Sequence, residues 1–216
     1  MSNSPLVSYT KISPNSSNPR NKKISKITIH HMAGNLTIEQ CGQVFAPSTR
    51  QGSSNYGIGT DGRIGMYVEE KNRAWTSSNA SNDNMAVTIE VANDVIGGNW
   101  HVSDKAMASL IDLCTDICKR NGIEKLNFTG DKNGNLTMHK YFAATACPGA
   151  YLESKFPYIA SEVNKRLSTK KTKHEQAVEC ACKLEDKTGL EKSTINWLWT
   201  YKYADDLFIK LWNAMK

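Results

Sequence analysis

Three side chains with metal-ligating chemistry stand out in this sequence. They are His30 at the end of an apolar alternation, His139 in a second such stretch, and Cys147 eight residues further on. Two imidazoles and a thiolate supply three corners of a tetrahedral site whose fourth position stays open for water. That is the arrangement of a catalytic zinc, and the softness of the donors suits that metal. Taken singly, each residue is more often structural than a ligand, so the reading depends on elements able to bring the three together.

Residues 26–32, KITIHHM, alternate Ile27 and Ile29 with Thr28 and His30, which predicts a strand with His30 turned away from the isoleucines. Residues 86–94 repeat the pattern, Val87, Ile89 and Val91 against Thr88 and Glu90, and set Glu90 on the less apolar side of a second strand. Thr37 caps a short helix with Ile38, Cys41, Val44 and Phe45 at helical spacing. Asp61-Gly62 between two Gly- and Ile-bearing runs predicts a hairpin, and Gly57, Gly59 and Gly65 suggest close packing beside it. Ser103 and Gly122 bracket a helix with apolar positions at 107, 110, 111, 114, 117 and 118. Residues 135–142 read as a short strand leading to the loop that carries Cys147. Residues 151–167 read as a helix interrupted near Pro157, because proline suits a first turn better than an interior.

The chain turns basic and polar at 168–174, where a domain boundary is expected. Residues 175–216 have helical spacing, with Trp197, Trp199 and Trp212 among them. They are few for a self-sufficient core, which predicts packing on the main domain or on a second copy. His174, Cys180 and Cys182 gather there but offer only three ligands, and two cysteines one residue apart splay on a helix, so a second metal cluster is set aside.

With 216 residues, 39% apolar and 22% charged, the chain has a globular balance far from that of disordered sequences. The net charge of +6 favours polyanionic surroundings without naming one. No basic stripe is interleaved with aromatics, so nucleic-acid binding is not expected. No apolar run approaches a membrane span and no signal core opens the chain, which predicts a protein made in a cytoplasm with no membrane partner. The six cysteines are unevenly placed and are expected to be reduced, Cys114 and Cys118 as small core residues.

The blocks ITIHHMAG, SNYGIGTDGRI, AWTSSN, AVTIEVAND and MHKYFAATACPG occur in the order and approximate spacing of a known family. Over residues 7–167 the chain resembles the zinc-dependent N-acetylmuramoyl-L-alanine amidases of the amidase-2 group, which are similar to peptidoglycan recognition proteins. The resemblance implies an α/β fold, a mixed central sheet flanked by helices. With the boundary read from the basic stretch and the helical spacing beyond it, the expected layout is a catalytic domain over 1–168, a linker over 169–174 and a small helical C-terminal domain over 175–216.

The resemblance also implies one zinc ion per chain on His30, His139 and Cys147, His30 being the first of its pair. Glu90 would then accept the proton of a zinc-activated water and pass it to the departing amine, and Thr145 would support the oxyanion. The bond cleaved would join N-acetylmuramic acid to L-alanine of the peptidoglycan stem. Where some relatives carry a tyrosine near the metal, this sequence has Ser54, expected to make a shorter contact with substrate. Trp75 is a second expected substrate contact.

Many relatives are phage or prophage endolysins. By analogy the protein would be made in the host cytoplasm and reach a wall of Gram-positive type after holin release, with bacteriolytic, antimicrobial action. The C-terminal tryptophans would stack on wall sugars while lysines meet teichoic acid or another wall glycopolymer, or the domain would self-associate. A metal-free peptidoglycan receptor of the same fold is the alternative. Such receptors typically lack the third ligand, and Cys147 is present.

Overall fold

In the computed structural model the described residues are 2–168 and 172–215. In chain order they form β1 (Tyr9–Thr10), β2 (Ser16–Ser17), β3 (Lys26–His31), α1 (Ile38–Phe45), β4 (Tyr56–Ile58), β5 (Ile64–Met66), β6 (Arg73–Ala74) and α2 (Ala80–Met85). There follow β7 (Ala86–Val91), α3 (Asp104–Asn121), β8 (Leu136–Met138), α4 (Ala150–Ser168), α5 (Lys173–Thr188), α6 (Lys192–Leu198) and α7 (Ala204–Ala214). The chain divides into two compact units, 1–168 and 169–216.

The first unit is built on a six-stranded sheet of order β1-β5-β4-β7-β3-β8, with β2 and β6 as a separate pair. Only β4 and β5 run antiparallel within the large sheet; the other four pairings are parallel. The period of two sends Ile27 and Ile29 of β3, with Val87, Ile89 and Val91 of β7, into one apolar core shared with α3 and α4. Helix α3 begins where the Ser103 hydroxyl accepts from the Ala106 N–H and ends at Gly122, whose φ of 68° is the left-handed conformation glycine allows. Cys114 and Cys118 lie fully buried in its apolar stripe, and all six cysteines are free.

Helix α1 starts with a capping box in which Thr37 and Gln40 satisfy each other's backbone N–H. In the hairpin, Gly62 takes a φ of 85°, and Tyr67 packs against Gly57 and Gly65. A Cβ added at Gly57 would meet the Tyr67 ring at 2.7 Å.

Three elements differ from expectation. The strand over 86–94 stops at Val91, and that over 135–142 covers only Leu136–Met138, giving way to a 3₁₀ turn at His139–Tyr141. Pro157 sits inside α4, and no break in the helix marks it. It lies on the exposed side, where water can take the carbonyl that a missing N–H leaves free.

The second unit carries its own small core, Ala177, Ala181 and Leu184 of α5 with Ile195, Ala204 and Phe208. Of the expected linker, residues 169–171 lie outside the described residues. Thr172 is already the cap of α5, joined to Glu175 in a capping box, so 172–174 begin the helix. Among the described residues no helix is long and apolar enough to cross a membrane.

Candidate metal centre and its cleft

Strand register assembles the site. Thr28 of β3 stands beside Thr88 of β7 and Thr137 of β8, forming a threonine row across three adjacent strands. The Thr28 and Thr137 hydroxyls hydrogen-bond at 2.9 Å, and the Asn82 amide donates to Thr28 at 3.0 Å, so this buried polar row is tied together. Two residues further on, the same face presents the next row, in which His30 pairs with Glu90. His139 follows Met138, the partner of Ile29, and so comes up beside His30; their ring centroids are 4.6 Å apart.

Cys147 arrives from a loop folded back on the His139 turn. The Lys140 N–H donates to the Cys147 carbonyl at 3.1 Å, and the Thr145 hydroxyl accepts from the Cys147 N–H at 3.2 Å. The loop leaves through Gly149, whose φ of 85° and close neighbours, Trp100 and His31, exclude a side chain. The Cys147 thiol ends 3.7 Å from His30 Nδ1, and Glu90 Oε1 lies 4.0 Å from the same nitrogen.

One ligand atom from each of His30, His139 and Cys147 falls within 4.8 Å of the others, the one such group found among the described residues. Tetrahedral bonds of about 2.1 Å to nitrogen and 2.3 Å to sulfur set donors roughly 3.5 Å apart, close to the thiol–imidazole distance seen. His139 Nε2 is buried without a hydrogen-bond partner, as a nitrogen that faces a Lewis acid would be. Burial, with the charge His139 or His31 would carry if protonated opposing a second one, holds His30 well below its usual pKa, and burial lowers His139, so both imidazoles favour the neutral form that can donate a lone pair. The residues present fit a soft divalent metal.

Burial raises Cys147, helped by the Glu90 charge and opposed by the His31 backbone N–H, so metal binding must displace the thiol proton. Burial also pushes Glu90 up to about 8, against the pull of Arg50.

The trio opens into a cleft of about 470 Å³ that Glu90, Thr145 and Trp75 also line. Trp75 is half-buried, its indole N–H donating to Ser17 at 2.9 Å. Ser54 requires correction as a substrate contact. It is fully buried, its hydroxyl donates to the Tyr56 and Thr88 carbonyls at 3.0 Å each, and its neighbour Ser53 lines the cleft instead. The C-terminal tryptophans belong to the other unit and divide: Trp199 and Trp212 pack on its core, while Trp197 is 70% exposed. Arg50, Gln51 and Ser78 also line the cleft, and no local sequence signal marked them.

The family model for N-acetylmuramoyl-L-alanine amidase matches residues 20–150, more than half of the chain. The chain belongs to the N-acetylmuramoyl-L-alanine amidase family. The family's reaction makes this amidase a peptidoglycan hydrolase. No curated protein matches the amidase.

Solved structures share its fold. The catalytic domain of PlyG is 16% identical with a TM-score of 0.58, covering 76% of this chain and 98% of that one. A mutant endolysin from Bacillus subtilis is 19% identical with a TM-score of 0.54, covering 72% and 97%. The endolysin amidase LysCS from Clostridium intestinale URNW is 23% identical with a TM-score of 0.51, covering 76% and 94%.

Proposed function

We propose that the amidase holds one zinc ion on His30, His139 and Cys147 and hydrolyses the amide between N-acetylmuramic acid and L-alanine of the stem peptide. The observation that carries this reading is the convergence of two neutral imidazoles and a thiol beside a mostly buried carboxyl. Zinc, when bound, polarises a carbonyl and makes water a better nucleophile near neutral pH. Glu90, in its ionised form, takes the proton from the attacking water and delivers it to the departing nitrogen of L-alanine, and burial, by raising its affinity for that proton, suits it to carry one. The Thr145 hydroxyl accepts from the Cys147 N–H and keeps its own proton free to donate to the developing oxyanion. Trp75 offers an apolar face in the cleft for sugar or peptide.

The biological setting we assign is that of an endolysin reaching a Gram-positive wall from the host cytoplasm after holin release. Its support is the fold shared with endolysins of Bacillus and Clostridium origin. In the second unit, Trp197, Tyr201 and Lys202 line a cavity of about 520 Å³. This combination of aromatic faces and a cation suits a wall glycopolymer. Digestion of purified Gram-positive peptidoglycan, with chelator and with zinc restored, tests the reaction by mass spectrometry of new ends. Free N-terminal alanine on intact stems, lost with chelator and regained with zinc, is the expected result; binding without new ends would overturn it.

A further inference from the structure

Five of the six arginines are engaged by other groups. Arg20 donates to the Glu70 carbonyl, Arg63 to Glu39, Arg73 to Ser17, Arg120 to Glu70, and Arg166 pairs with Asp112. Arg50 is the exception: among the described residues its guanidinium makes no hydrogen bond or ion pair, although it is exposed in a well-defined turn. The 3₁₀ turn Ser48–Arg50 is entered through Pro47 and left through Gln51 at a φ of 52°, and the Gln51 amide donates back to the Ser48 carbonyl at 3.1 Å.

The same guanidinium lines the cleft that holds the ligand trio. Among the described lining residues Arg50 is the one Lys or Arg, and Glu90 the one Asp or Glu. A guanidinium at a substrate cleft that makes no hydrogen bond or ion pair of its own can serve as a carboxylate-binding fork. The N-acetylmuramoyl sugar is neutral, whereas the peptide on the other side of the scissile amide carries carboxyl groups.

Resting on the amidase reading, we propose that Arg50 binds a free carboxylate of the stem peptide and selects stems whose acidic residue is not amidated. Arg50 also acts on Glu90, drawing its carboxyl downward against burial. An effect through Glu90 would change every substrate alike, and that difference separates the two roles.

The experiment uses N-acetylmuramoyl peptides in which L-alanine is followed by an acidic residue, each with a twin bearing an amide in place of that carboxyl. The wild-type protein, Arg50→Gln and Arg50→Lys are compared, with kcat and KM read separately. The wild type is expected to favour the acid over its twin roughly tenfold or more in kcat/KM, carried by KM. Arg50→Gln brings the ratio close to one. Arg50→Lys keeps part of it, because an ammonium retains the charge without the fork. Equal kcat/KM for the twins with the wild type, or an equal loss on both with Arg50→Gln, would overturn the inference alone. No cleavage of either twin by the wild type would overturn the amidase reading beneath it.

Discussion

Glu90 and His30 face each other across a parallel strand pair, and their pKa values are driven in opposite directions by the same burial. The carboxyl is held up to about 8 and the imidazole well below its ordinary 6.5, so in the metal-free protein both are neutral at pH 7. Glu90→Gln keeps the shape and removes the proposed proton carrier. It should lower kcat by at least about a hundredfold while metal analysis still finds about one zinc per chain; retained turnover would remove Glu90 from the reaction.

Burial also lowers His31 and His139. A histidine whose folded pKa lies below its unfolded 6.5 contributes stability that is full above 6.5 and lost as pH falls through the folded value. Glu90, raised above 4.5, acts the other way, its contribution being lost as pH rises through about 8. Three imidazoles stand against one carboxyl, so chelated protein should show a urea midpoint that falls as the pH drops below 6.5. A flat midpoint would mean that the imidazoles are not held neutral. The identity of His30, His139 and Cys147 as a donor set was legible from residue type. The vacancy of Arg50 was not, since it depends on where every acidic group and carbonyl comes to lie.

Among the elements, the strands were the most legible because alternation repeats every two residues, and it set His30 and Glu90 on the less apolar sides of β3 and β7. What alternation does not state is register, and one residue of slip would have turned Glu90 away from His30. The hairpin gives a test at this scale. Gly57→Ala would drive a methyl into the ring of Tyr67, which is fixed by its hydroxyl donating to the Ile38 carbonyl at 2.7 Å. The expected cost is about 1–3 kcal/mol, read from urea unfolding, and an unchanged midpoint would show that the ring yields. Ser54 was misjudged from its position before this hairpin, because counting along a strand does not reveal which carbonyls its hydroxyl must satisfy.

For the whole first unit, Arg20 is a long-range tie. Nearly buried, it donates to the backbone carbonyls of Glu70, Asn72, Asp83, Asn84 and Ala86, holding the segment that leads into β7. Arg20→Met should cost about 3 kcal/mol or more by leaving buried carbonyls unpaired. Metal affinity should fall with stability as β7 loosens; a variant with wild-type unfolding would refute this. The second unit was expected to lack a core of its own, yet α5 and the residues of α6 and α7 enclose Phe208, with Trp199 and Trp212 packed beside it. Sequence alone determined what neighbours along the chain can settle: strand and helix periods, the Thr37, Ser103 and Gly122 caps, the Asp61-Gly62 turn, and a metal-ligating set of residue types. Tertiary structure decided the rest: the strand order β4-β7-β3-β8, the threonine row beneath the site, the fold-back that carries Cys147 to His30, the burial of Ser54 and the isolation of Arg50. The division is physical, because caps and periods arise from contacts a few residues apart. Convergence at a site arises from register and packing among residues 60 to more than 100 positions apart, and these are fixed only when the whole core closes.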